Sequence, residues 1–122
     1  MILADTSIWV DHLRRHNQEM ARLLGRGEIV MHPFVVAEIA LGSLRERRKR
    51  LEEMDALREV EVAHLGEVRH MIEAHALYAK GIGFTDAHLI ASCLLTPGTL
   101  LWTYDGDLKN VAKSLGVLAD LP

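Results

Sequence analysis

A chain of 122 residues, 49% hydrophobic and 25% charged, has the size and composition of one globular domain, expected here to span residues 1–122. Its single cysteine, Cys93, excludes an internal disulfide framework and fits a reducing cytosol, and no apolar run approaches the roughly 20 residues a membrane helix needs. A formal net charge of −3 lacks the basic excess usual in nucleic-acid proteins, so charge alone does not suggest RNA.

Ile2-Leu3-Ala4 reads as a short buried strand ending at Asp5-Thr6-Ser7, a helix-start signal. The early carboxylate at Asp5 is not the pattern of a secretory signal, and the expected location is cytoplasmic. A helix is expected over Ile8–Arg15, and a second over Gln18–Leu24, stopped by Gly25-Arg26-Gly27. Glu28–His32 is a strand candidate. Pro33 suits the first turn of a helix that Phe34–Leu44 continues. Residues 46–58 form a polar helix with an apolar stripe at Leu51, Met54 and Leu57, and Val60-Glu61-Val62 is a possible third strand. A further helix is expected over Gly66–Lys80, closed by Gly81-Ile82-Gly83. Thr85 begins an apolar helix to Leu95, Thr99–Thr103 is a buried strand, and Asp105–Leu115 a helix stopped at Gly116; Val117–Ala119 is a possible last strand. Short strands alternating with helices imply a parallel sheet covered on both faces, an α/β fold of the three-layer α/β/α sandwich type.

In an open parallel sheet, ligands bind beyond the carboxyl ends of the strands. Asp5 and Asp105 lie at two such ends, where each is either a helix N-cap or a ligand. Asp86 stands in the first turn of its helix, where the dipole favours an acid, yet its neighbours at helical spacing are Leu89, Ile90 and Cys93. Glu38 is too far into its helix to cap it, and Phe34, Val35, Leu41 and Gly42 make its face apolar. A buried carboxylate there finds a cation or takes up a proton; the alternative is a helix-edge Glu reaching water or a nearby arginine. Together the four acids suit a hard divalent cation, Mg²⁺ or Mn²⁺, which prefers carboxylate and water oxygens and supports in-line attack on a phosphate. Asp107 is a supplementary ligand or a solvated helix residue. Thr6, Ser7 and Thr103 flank these acids, either as turn and cap residues or to orient a carboxylate.

Four segments resemble the motifs of PIN-domain nucleases: Met1–Asp11, His32–Ile39, Gly81–Leu89 and Leu101–Asp105, in the family order and across nearly the whole chain. The resemblance implies a PIN fold and a Mg²⁺- or Mn²⁺-dependent endoribonuclease, with the acidic site carried over to Asp5, Glu38, Asp86 and Asp105. Within the family the chain is similar to the VapC toxins. That implies a growth-inhibiting toxin cleaving tRNA or rRNA, a VapB-type antitoxin partner and a homodimer. The fourth motif is the loosest, and Gly106-Asp107-Leu108 leaves open which acid completes the site.

The seven histidines lack zinc spacing. Arg45–Arg50 alternates with acids, including Glu46 with Arg50 and Arg48 with Glu52, the pattern of a solvated ion-paired helix; gripping RNA phosphates or an antitoxin is the alternative. Trp9, Trp102 and Cys93 read as core. A receiver domain would need a mid-chain strand-end Asp, and Asp55 lies in the charged helix; a haloacid-dehalogenase-type phosphatase would need Asp where Ser7 stands. A PIN nuclease outside a toxin pair and a catalytically silent RNA- or protein-binding module remain as alternatives.

Overall fold

The computed structural model describes residues 1–122 as seven helices around a three-stranded parallel sheet of order β2-β1-β3. Strand β1 (Ile2–Ala4) pairs on one side with β2 (Ile29–Val30), aligning Leu3 with Val30, and on the other with β3 (Leu100–Trp102), aligning Leu3 with Leu101. Successive residues of a strand point to opposite faces. Leu3 and Ala4 are both fully buried, as are Leu101 and Trp102, so the sheet is covered on both faces, as the α/β/α expectation requires. The buried apolar side chains form one cluster of 29 residues that includes Trp9, Trp102 and Cys93. Burial pushes the Cys93 thiol up to about 12, which removes it as a nucleophile.

Helix α1 (Thr6–Arg15) follows β1 directly, capped by the Asp5 carboxylate at the Ile8 N–H, and so starts two residues before the expected Ile8. Helix α2 (Gln18–Gly25) is capped by Asn17, and α6 (Phe84–Leu95) and α7 (Gly106–Ser114) stand within two residues of their expected bounds. Three expectations change. The helix expected to Leu44 is α3 (Pro33–Ala40); Gly42 does not sustain it, and the Arg47 guanidinium donates to the Ala40 carbonyl at 2.7 Å, closing its end. The helix expected to Lys80 is α5 (Leu65–Ala74). There Ala76 and Ala79 take positive φ, and the turn carries Leu77 into the core, so packing overrides alanine's helical preference. The segments at 60–62 and 117–119 form no strands: the sheet gains only single parallel bridges, Met31 to Glu59 and Leu101 to Leu118, at its two edges.

Helix α4 (Arg47–Asp55) buries Met54 and leaves its charged face in solvent. Glu46 pairs with Arg50 as expected (3.9 Å), whereas Arg50 also takes Glu53 at 3.2 Å and no Arg48–Glu52 pair forms. No helix is long and apolar enough to cross a membrane.

Candidate active site

β1 is the central strand, and its neighbours in sequence and in space diverge from it on opposite sides. That makes its carboxyl end the switch point at which open α/β sheets bind ligands. Asp5 stands there, 6% exposed, its N–H continuing the ladder to the Trp102 carbonyl at 2.9 Å. Three protein donors fix its carboxylate. Ser7 Oγ (2.5 Å) and the Ile8 N–H (3.2 Å) donate to Oδ1, and the Thr103 hydroxyl donates to Oδ2. Oδ1 accepts two of these bonds and Oδ2 only one, so Oδ2 keeps a lone pair, and capping and ligation are compatible in one residue.

Thr103, immediately after β3, is 1% exposed and acts at two acids at once. Its hydroxyl donates to Asp5 and accepts the Asp105 backbone N–H at 3.0 Å, fixing the backbone of the second strand-end acid. Asp105 is exposed and caps α7 through Oδ1 at the Leu108 N–H (3.0 Å); its Oδ2 accepts nothing from the protein. Thr6 donates to Glu38 Oε1 at 2.6 Å, joining the start of α1 to α3. All three hydroxyls at Thr6, Ser7 and Thr103 therefore hold carboxylates, and cap chemistry alone does not account for them.

Glu38 corrects one expectation. Its side is exposed, because α3 ends two residues later and neither Leu41 nor Gly42 covers it. Burial therefore gives no reason for a cation at this carboxylate. Asp86 is half-buried, as its sequence neighbours implied, and its Oδ2 accepts the Gly83 N–H at 3.4 Å. Burial chiefly raises the Asp86 pKa above the ordinary carboxylate range; the Gly83 bond opposes this, and the Asp105, Asp5 and Glu38 carboxylates add to it. Asp86 is therefore within electrostatic reach of the other three acids.

No three His, Cys, Asp or Glu side chains stand at the spacing of a complete metal cage. An all-oxygen, partly open set of this kind suits Mg²⁺ or Mn²⁺, which retains water, and does not suit zinc. Asp107 packs against Gly81, whose φ of +80° and lack of Cβ let the carboxylate lie on the backbone just ahead of α6. It therefore joins the start of α7 to the turn that leads into the helix of Asp86.

Two groups of residues outside the predicted set shape the site. His32 caps α3 through Nδ1 at the Phe34 N–H (3.0 Å). The His88 ring lies against Phe34 (4.6 Å between centroids) and Phe84 (4.7 Å), tying the helix of Glu38 to the helix of Asp86. Asn17 donates to both Asp11 Oδ2 (3.0 Å) and the Tyr104 hydroxyl (2.7 Å), and Tyr104 donates to Asp11 at 3.0 Å. The Asn17 bond first, then the Tyr104 bond, holds the Asp11 pKa below the usual carboxylate range. This network pins the residue between Thr103 and Asp105. No periodicity or spacing marks it in the sequence, because it joins positions 87 and 93 residues apart.

The PIN domain family profile matches residues 2–114. The chain belongs to the PIN-domain family. It is also 38% identical over 117 residues to Ribonuclease VapC32 of Mycobacterium tuberculosis, in both the CDC 1551 / Oshkosh and the H37Rv strains, covering 96% of this chain and 94% of that protein. The family match runs from β1 to the end of α7 and so contains every acid described above.

Proposed function

We propose that this PIN-domain protein is a Mg²⁺- or Mn²⁺-dependent endoribonuclease acting as the toxin of a VapBC-type pair. Its substrate is tRNA or rRNA, and a VapB-type antitoxin restrains it. The observation that carries this reading is the hydrogen-bonded frame at the carboxyl ends of β1 and β3, in which the Thr103 hydroxyl joins Asp5 to the Asp105 backbone and Thr6, next to Asp5, holds Glu38. Its likeness to a protein named as a ribonuclease supports the choice of RNA.

In this reading Asp5, Glu38, Asp86 and Asp105 hold the ion, and Asp107 borders it. A bound divalent ion supplies activation of water and neutralisation of charge developing on the phosphate. The chain supplies the frame: Ser7, Thr103 and the Ile8 N–H fix Asp5, and Thr6 fixes Glu38. Fixed ligands hold reacting groups within the narrow geometry that in-line displacement needs. We assign residues 1–122 to one domain that works in the cytoplasm as a homodimer.

The test is cleavage of total RNA by purified protein in Mg²⁺, Mn²⁺ or EDTA, with Asp5→Ala and Asp86→Asn alongside. Discrete fragments are expected with either metal and not with EDTA. Losing an outer-shell partner weakens metal sites by 10–100-fold, so removing a direct ligand is expected to lower cleavage roughly 100-fold or more. Removing a half-buried charge, and with it the repulsion from its neighbours, is expected to raise the melting temperature of Asp86→Asn in EDTA while abolishing its rise with metal. Metal-independent cleavage, or a fully active Asp5→Ala protein, refutes the assignment.

A further inference from the structure

A groove of about 870 Å³ opens beside Glu38, between the C-terminal turn of α1 and the connection from α3 to α4. Val10, Leu13, Ile39 and Leu44 form its apolar floor, and Arg14, Arg45 and Arg50 bring positive charge to its walls. Its negative groups are largely engaged. Glu46 pairs with Lys49 and Arg50, and Glu38 accepts from Thr6. The carbonyls at the end of α3, where the helix dipole would repel a phosphate, are taken by Arg47 at Ala40 (2.7 Å) and Gly42 (3.5 Å). Arg14 and Arg45 are different. Both are exposed, and neither has a carboxylate or carbonyl partner in the protein.

An RNA strand brought to four carboxylates meets repulsion at every phosphate the metal does not neutralise. Positive charge beside the centre offsets it, and releases counterions from the strand. The groove joins such charge directly to one of the four acids. We infer that this groove carries the RNA strand away from the acidic centre, with Arg14 and Arg45 each holding a backbone phosphate and the apolar floor receiving sugar and base. The inference rests on the ribonuclease reading and assigns that site's substrate path.

Fluorescence anisotropy with a labelled single-stranded RNA of mixed sequence in EDTA, over a series of salt concentrations, tests it. Each phosphate contact to a single strand contributes about 0.7 to the salt slope. Arg14→Gln and Arg45→Gln are each expected to lower the slope by about 0.7, the double variant by about 1.4, and affinity by several-fold per arginine. The exposed controls Arg69→Gln and Lys80→Gln, outside the groove, are expected to leave it unchanged. With Mn²⁺ present, the double variant's KM for RNA cleavage is expected to rise. An unchanged slope and KM in a double variant that still cleaves RNA overturns the groove assignment and leaves the ribonuclease reading intact. A double variant normal toward RNA but no longer neutralised by the cognate antitoxin gives the groove to a protein segment, and equally overturns it. A wild-type protein that cleaves no RNA in either metal removes the ribonuclease reading itself.

Discussion

Replacing Thr103 by Val tests whether one buried hydroxyl organises two of the acids. Valine has nearly the same shape, and Thr103 is 1% exposed, so no cavity opens and the change is confined to hydrogen bonding. Asp5 Oδ2 loses a charge-assisted bond, a loss of about 1.5–3 kcal/mol, and the Asp105 N–H loses its acceptor, a further loss of up to about 1 kcal/mol. Relief of the hydroxyl's own desolvation offsets part of this, leaving a destabilisation of about 2–3 kcal/mol. At about 2.1 cal/mol/K per residue, 122 residues melt with about 4 °C per kcal/mol, so the melting temperature should fall by about 8–12 °C. Asp5 keeps its bonds from Ser7 and Ile8 and remains in place with a looser second oxygen. Metal affinity, read from Mn²⁺ titration by calorimetry, should therefore fall about 10–100-fold without vanishing. Thr103→Ser keeps the hydroxyl and should recover most of that affinity while losing only the buried methyl. A Thr103→Val protein that melts within about 2 °C of wild type and binds Mn²⁺ equally well would refute the reasoning.

Two further outcomes follow from buried positions near the site. Burial, reinforced by His88, depresses the His32 pKa from 6.5 to about 4, so as pH falls the unfolded chain takes the proton first. Stability is full above pH 6.5 and is lost between 6.5 and about 4, by on the order of 3 kcal/mol. Urea midpoints of wild type and His32→Asn in EDTA should diverge in slope across that window, since Asn keeps an acceptor for the Phe34 N–H but does not titrate; parallel slopes contradict this. Asp86, with its raised pKa, acts in the opposite sense in both proteins and cancels in the comparison. Gly81→Ala combines a φ of +80° with a collision against the Asp107 carboxylate. It should lose more than about 1 kcal/mol, recovered in part by adding Asp107→Ala; no recovery means that backbone strain alone is responsible.

The order of elements was legible in the sequence because strand-end acids, Pro33 and the glycine stops are local signals. The errors were non-local. Alanine-rich residues 75–80 read as helix, and only the burial of Leu77 explains why they turn; the edge segments at 60–62 and 117–119 read as strands but pair at single bridges. Strand pairing depends on the partner's reach, which no local pattern encodes.

The candidate site shows the same division. Asp5, Asp86 and Asp105 were singled out as candidates because each sits at a strand or helix terminus with a recognisable local reason for an acid. Glu38 was made a candidate by an argument about burial that does not hold: its face is open to solvent. What makes Glu38 informative instead is its company. It accepts from Thr6, next to Asp5, and it ends a groove bearing two unpartnered arginines. A solvent-exposed carboxylate costs little to keep, so its folding energetics do not explain its place. On the proposed ribonuclease reading, its position between the other acids and a positively charged wall does, since a phosphodiester strand would need both to be processed and to be held.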